Sequence, residues 1–354
     1  MYSKLVGLFA NDIAMDLGTS NIVICTKKDG LLLSEPAVVA FKKNNIDRKG
    51  VVAVGKEAQL MVGKTPKNIT TIRPMRDGVI ADFKATEIMI RFLIEKVYEK
   101  SRFAKPRIIV CLPQEVTQVE RNAVKDAVLK AGAREVFLVA EPMAAAIGAG
   151  IDVLRPTGHM VVDIGAGTSE VGVTSLGGLV LCQASRVAGN RIDKAILDFL
   201  RQEYNLHIGV RAAESIKMEI GSAVKLDEPL VAPVKGRDNF GFLTKLEMDS
   251  EKIRKAIKEP LNQIAFTVRN VIEVIPADLA GDIVDNGIVL TGGGGLIRGL
   301  DKFLSDVLEL PVFVADEPLL AVSRGLTKLL QDEKLLQQVY GRDKSHILPK
   351  HIKL

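Results

Sequence analysis

Two stretches of this chain echo one another across more than a hundred residues. Residues 12–33 read DIAMDLGTSNIVICTKKDGLLL, and residues 159–180 read HMVVDIGAGTSEVGVTSLGGLV. Each is an apolar strand that reaches an aspartate, Asp16 or Asp163, then a glycine-containing bend, then a second strand and a turn. The turns, Lys28-Asp29-Gly30 and Leu176-Gly177-Gly178, carry the glycines that tight hairpins use for their positive φ angles. One copy so far from the other predicts two related halves rather than a short-period solenoid.

The length of 354 residues accommodates two such halves. Helical spacing of apolar residues predicts helices over 86–100, 119–131 (with Gly132 at its end) and 191–205. RIIVCLP from Arg107 and GIVLTGGGG from Gly287 read as buried parallel strands. Alternating strands and helices make the fold class α/β. Domain I is expected over 1–145 plus 322–340, with an insert at about 34–75. Domain II is expected over 146–321, with an insert at about 190–250, whose part from 206 onward holds a helix over 212–223 and a looser Lys/Asp-rich stretch. From Gln331 the chain is polar and is expected to run past the folded core, with 341–354 as a basic tail.

Composition removes several function classes. With 47% hydrophobic and 26% charged residues, extensive disorder is not expected. A net charge of +5 is too small, and Lys/Arg blocks interleaved with aromatics are lacking, so no nucleic-acid partner is expected. The three cysteines, Cys25, Cys111 and Cys182, lie far apart in apolar runs and read as buried, reduced thiols. No apolar run is long enough to span a bilayer, and Met1–Ala10 lacks the pattern of a signal peptide. A cytoplasmic location is therefore expected.

Three loops carry the candidate chemistry. In Asp16-Leu17-Gly18-Thr19-Ser20-Asn21, a bend with exposed amides and the side chains of Thr19, Ser20 and Asn21 suits phosphate oxygens, while Asp16 suits Mg²⁺ held through water. Alone it is equally a plain hairpin with polar turn residues. The second loop, Asp163-Ile164-Gly165-Ala166-Gly167-Thr168-Ser169, favours the phosphate reading, because two matching loops, one per half, would neutralise charge together during phosphoryl transfer. The third, Thr291-Gly292-Gly293-Gly294-Gly295-Leu296, follows a buried strand and would let backbone approach an adenine and ribose; a flexible capping loop is its other reading. It is neither a Walker loop nor a Rossmann fingerprint.

With NDIAMDLGTSN, IRPMRDGVIADF, EPMAAAIGAG, MVVDIGAGTSEV, ESIKMEIGSA and LTGGGGLIRGLD, spread from the N-terminus to about residue 330, the chain resembles the MreB family of bacterial actins. That family sits within the superfamily of actins, sugar kinases and heat-shock chaperone ATPases. The resemblance implies the actin-like ATPase fold, with two related α/β domains each bearing a smaller subdomain, and ATP with Mg²⁺ as ligands. It implies that Glu141 and Thr168 orient the attacking water, a role that in-line phosphoryl transfer requires. Without the resemblance, Glu141 reads as an acidic residue favoured by the dipole of a Pro-started helix. Glu214-Ser215-Ile216-Lys217 matches the adenosine-binding segment, Glu214 and Lys217 being one helical turn apart; their other reading is an exposed ion pair.

The sequence departs from the family pattern at Ala166, where a glycine is common, at Ser169, and in its longer tail. The methyl group of Ala166 bears on hydrolysis rate. Leu5, Val6, Leu8 and Phe9 form an apolar N-terminal patch, and Phe103 sits among Lys100, Arg102 and Lys105. Both suit an anionic inner membrane surface, as the resemblance implies, and both equally suit a packed Phe9 with solvated cations. Self-assembly into filaments that support cell shape or mechanics rests on the resemblance alone. A small-molecule kinase of the same superfamily is the alternative, but no acceptor-site signature is found. A chaperone-type ATPase would need a substrate domain after the core.

Overall fold

The computed structural model describes residues 12–43, 45–97, 105–114 and 116–343. The first half runs β1 (Ile13–Leu17), β2 (Asn21–Thr26), β3 (Gly30–Pro36), β4 (Val39–Lys42), β5 (Val51–Val54), α1 (Lys56–Met61), β6 (Ile69–Ile72), β7 (Met75–Arg76), β8 (Val79–Ile80), α2 (Phe83–Val97), β9 (Arg107–Leu112), α3 (Gln118–Lys130), β10 (Glu135–Ala140) and α4 (Glu141–Gly148). The second runs β11 (His159–Ile164), β12 (Ser169–Ser175), β13 (Gly178–Ser185), α5 (Gly189–Tyr204), α6 (Val210–Ile220), β14 (Val231–Arg237), β15 (Leu243–Asp249), α7 (Ser250–Val274), α8 (Ala277–Asn286), β16 (Ile288–Thr291), α9 (Leu300–Leu308) and β17 (Val312–Val314). Helices α10 (Ala321–Gln331) and α11 (Glu333–Asp343) follow.

The sequence echo is an echo of topology. One sheet has the order β10-β9-β1-β2-β3 and the other β17-β16-β11-β12-β13. Each half therefore places its first strand centrally, with its own hairpin on one side and two later strands on the other. Those later strands are parallel: β9 beside β1, β10 beside β9, β16 beside β11 and β17 beside β16. Parallel strands covered on both faces need apolar side chains throughout. Accordingly every residue of β1 except Asp16 is buried, as is every residue of β9 after Arg107.

The described residues divide into two compact units. One extends to Pro156 and includes Thr174–Val180 and the chain from Leu320; the other comprises Thr157–Val173 and Leu181–Leu319. In the first unit, β5-β4-β6 forms a small sheet of its own over Val38, Ala40, Ala53 and Ala58. In the second, α6 and the β14–β15 hairpin share one continuous core with the main sheet, since Ala232, Val234 and Met248 join Ile192, Ile216 and Val171.

Two expectations are corrected. The stretch read as loose is largely the β14–β15 hairpin, paired over its full length from Val231↔Asp249 to Arg237↔Leu243. The chain after Gln331 does not leave the core at once: α11 buries Leu336 and Val339, and Tyr340 packs edge-on against Phe137 with ring centroids 4.8 Å apart. Of the cysteines, Cys25 and Cys111 are buried while Cys182 is half-buried. Burial, with the Asp16 charge adding to it against a hydrogen bond from Thr327, pushes the Cys25 thiol up to about 12, so it is inert.

Candidate nucleotide site

The second hairpin owes its orientation to α5. Gly189 N–H donates to the Gly165 carbonyl (3.1 Å), and Asn190 N–H donates to the Ala166 carbonyl (2.7 Å). These are amides of the first turn of a sixteen-residue helix, groups that have no partner inside the helix. The chain has no cis peptides among its described residues, so N–H and C=O of each peptide point in opposite directions. With the carbonyls of Gly165 and Ala166 facing α5, the N–H groups in the same two planes, those of Ala166 and Gly167, point away from it. The bend is closed by Gly165 N–H donating to the Thr168 carbonyl (2.9 Å), and β12 is pinned where it starts by Ser169 Oγ donating to the Val187 carbonyl (2.7 Å). Two adjacent outward amides on a fixed loop make a receptor for anionic oxygens. Ala166 has no positive φ, so its methyl group sits on ordinary backbone.

At the head of this loop Asp163 is buried and accepts a hydrogen bond from Thr291 Oγ1 (2.7 Å). Burial raises its pKa against that hydrogen bond. Among the described residues no group of three or more His, Cys, Asp and Glu is arranged to hold a metal ion. A single carboxylate that is costly to ionise without a nearby positive charge fits an ion that keeps most of its own water, which is how Mg²⁺ binds.

The glycines after β16 differ in what surrounds them. A Cβ on Gly292 would lie 2.4 Å from the Ile164 carbonyl oxygen, and one on Gly294 would lie 2.2 Å from Ile164 Cγ2. Those two glycines let the loop lie against the end of β11, beside Asp163. Gly293 and Leu296 are exposed, and Gly295 is buried with room for a Cβ.

Helix α6 carries the third group. Glu214 and Ser215 are exposed, and Ser215 Oγ donates to the Arg211 carbonyl (3.0 Å). Ile216 faces the core with Ala213 and Ile220, so its side chain is directed inward. Lys217 pairs with Asp193 of α5 at 2.8 Å, not with Glu214. Asp193 and Gly189 were missed by sequence reasoning, as was the bond from Thr291 to Asp163. The last was open to inference, because Asp163 and Thr291 are register partners on parallel strands.

In the first unit, Asp16 is half-buried near the end of β1, in register with Cys111 and Val23. The β1–β2 loop, Gly18 to Ser20, is tied down by Gly78 N–H donating to Thr19 Oγ1 (3.2 Å) and Ala37 N–H donating to the Ser20 carbonyl (2.8 Å); Asn21 is exposed. The Asp77-Gly78 turn, with φ values of 50° and 75°, presents the Gly78 amide. Glu141 is buried as the first residue of α4, with Pro142 behind it setting the helical φ. Lys328 Nζ caps the other end of α4 at the Ile147 carbonyl (2.8 Å). Leu5, Val6, Leu8, Phe9 and Phe103 lie outside the described residues.

Duplicated α/β halves, each with a central strand that carries an aspartate near its end and runs into a hairpin, define the actin fold. The sequence pattern of the MreB/Mbl protein family matches residues 10–338, and the chain belongs to that family. It is 47% identical to the cell shape-determining protein MreB of Escherichia coli (strain K12), over 94% of this chain and 96% of that protein. A crystal structure of MreB5 of Spiroplasma citri bound to ADP superposes with a TM-score of 0.86 at 33% identity, covering 94% of this chain and 98% of that one. The same protein bound to AMPPNP also gives 0.86 at 33% identity, covering 94% and 99%. A MamK double helical filament shares the fold, with a TM-score of 0.75 at 20% identity, covering 91% and 99%.

Proposed function

We propose that this chain is an ATP-hydrolysing cytoskeletal protein that assembles with itself into filaments on the cytoplasmic face of the cell membrane and supports cell shape. The observation that carries the nucleotide reading is the second hairpin. Its carbonyls are consumed by α5, and the amides of Ala166 and Gly167 are turned outward beside a buried carboxylate. Thr19, Ser20 and Asn21 supply donors from the equivalent loop of the first half. Glu214 and Lys217 contact the adenosine, with Ser215 and Ile216 contributing backbone, and the glycine loop to Leu296 gives the base its floor. Asp16 and Asp163 hold Mg²⁺, mostly through its water. Bound there, the ion neutralises charge developing on the phosphates.

Glu141 and Thr168 orient the water that attacks the terminal phosphate. A carboxylate at the first position of a helix is fixed in space by the helix behind it, which suits alignment of a nucleophile. Related proteins described as bound to ADP and to AMPPNP, and one described as a filament, support nucleotide binding and self-assembly here. No helix among the described residues is long and apolar enough to cross a membrane, so attachment would rest on Leu5, Val6, Leu8, Phe9 and Phe103.

Glu141→Ala should bind ATP as the native protein does and release no phosphate above background. Phosphate release at the native rate would remove Glu141 from the reaction. Electron microscopy with ATP, with and without anionic liposomes, tests assembly and attachment. Unchanged liposome co-sedimentation after deleting residues 1–9 and the basic tail would refute the membrane reading.

A further inference from the structure

Lys217 is held away from solvent by a partner on another helix. Its ammonium lies 2.8 Å from Asp193 Oδ1 and 3.5 Å from the Gly189 carbonyl oxygen. Both side chains are largely enclosed, Lys217 14% and Asp193 6% exposed. Burial pushes the Asp193 carboxyl up, and the Lys217 ammonium draws it back. Neither group would be stable at this depth without the other.

The place of this pair gives it a role. Gly189 is the residue whose N–H holds the Gly165 carbonyl. The Cβ that Gly189 lacks would lie 3.3 Å from Gly165 O, 3.4 Å from Ala166 Cα and 3.5 Å from Lys217 Nζ. Hairpin, helix start and ammonium therefore meet around one point, where a Cβ at Gly189 would touch all three. Asp193 lies one turn further along α5, and its carboxylate reaches across to α6. A lysine stem has four rotatable carbons and does not choose one direction unaided.

We infer that Asp193 is a positioning residue, which fixes the Lys217 ammonium beside the Gly165–Gly167 hairpin and so joins the phosphate-facing loop to the nucleoside-facing helix. This rests on the nucleotide reading above. It extends that reading to a residue that does not itself touch the nucleotide. Once the ammonium is set, a nucleotide meets a preformed cationic group and does not have to order it.

Titration calorimetry with MgATP and with inorganic tripolyphosphate tests the idea. The native protein should bind MgATP; failure to do so would sink the nucleotide reading itself. Asp193→Asn should weaken MgATP about tenfold while leaving tripolyphosphate, which has no nucleoside, within about twofold. General damage to the fold would weaken both. Lys217→Met should weaken MgATP to the same degree, and the double variant should be no weaker than Lys217→Met alone, because one interaction is being removed twice. Native-like MgATP binding by Asp193→Asn, multiplied losses in the double variant, or equal loss of tripolyphosphate would each overturn the inference. If Asp193→Asn does not fold, the double variant, which leaves no buried charge unpaired, carries the comparison with Lys217→Met. MgATP binding by either at the native level then refutes it.

Discussion

Thr291 Oγ1 donates a 2.7 Å hydrogen bond to Asp163 Oδ1 across the neighbouring parallel strands β16 and β11. One neutral hydroxyl does not replace the water that a buried carboxylate has lost, which is why burial raises the Asp163 pKa. An acid whose pKa is higher folded than unfolded takes up protons on folding. Stability is therefore lost as pH rises from the ordinary aspartate value through the raised one, and stays lost above it. A cation bound at the carboxylate removes that cost. Asp163→Asn, which keeps an acceptor for Thr291, should raise the melting temperature of the ligand-free protein by about 2 °C at neutral pH. The same variant should abolish any further rise that MgATP gives the native protein. A ligand-free variant that melts lower than native would show that Asp163 is not destabilising.

Helices α4 and α10 cross at a separation that only glycine allows. A Cβ on Gly148 would meet the Ala321 carbonyl oxygen at 1.7 Å, and one on Gly325 would meet the Ala144 carbonyl oxygen at 1.9 Å. The obstruction is backbone on both sides, so no rotamer change relieves it. Gly325→Ala should cost about 3 kcal/mol and, because α4 begins at Glu141, should depress phosphate release as well. Gly281 in α8 is the control: a Cβ there has open space, and its φ is ordinary. Gly281→Ala should stabilise by about 0.5–1 kcal/mol. Thermal melts of the two variants decide the matter by their opposite signs.

Glu35 is 3% exposed and accepts from Lys96 Nζ and from the Lys56 amide, each at 2.8 Å. Burial pushes its pKa up, but the bonds from Lys96 and Lys56 outweigh burial and hold it below the ordinary glutamate value. The resulting stability is fully present above that ordinary value and is lost as pH falls through the lowered one. Glu35→Gln should cost about 1–2 kcal/mol at neutral pH, with Lys96 still solvated. The native and variant melting temperatures should converge as pH falls below that lowered value. A difference that persists at low pH would assign the effect to packing.

The duplicated hairpins were legible because each needs particular residues at fixed spacing, and their placement in sheets of identical strand order follows from that. The purpose of the glycines at 292 and 294 was not. They read as room for a ligand; the structure adds that the space a Cβ would take at either is filled by Ile164 of another strand, a contact that no local pattern reports. Asp193 was hidden for a related reason: its partner lies on the next helix, and helical spacing offered Lys217 only Glu214 as a neighbour. In the hairpin Val231–Arg237 and Leu243–Asp249, the buried residues Ala232, Val234 and Met248 alternate with polar or exposed ones. That alternation is diluted by lysines and acids, which made the stretch look loose.

The last helix is the sharpest case, and it can be tested. Leu336, Val339 and Tyr340 recur at helical spacing in a largely polar segment, and Leu336 and Val339 are 2% and 3% exposed. Composition pointed outward while periodicity pointed inward, and periodicity prevails because burial of a few apolar side chains outweighs solvation of the rest. Arg107 also reaches this helix, with Nη1 2.6 Å from Glu333 Oε2, but Glu333 is 52% exposed. Leu336→Ala should therefore cost about 3 kcal/mol, and Glu333→Gln under about 1 kcal/mol, with only the latter loss reduced by high salt. Proteolysis should cleave after Asp332 in Leu336→Ala and spare Glu333→Gln. Equal destabilisation by the two variants would mean that the ion pair, not the apolar face, holds α11 to β10.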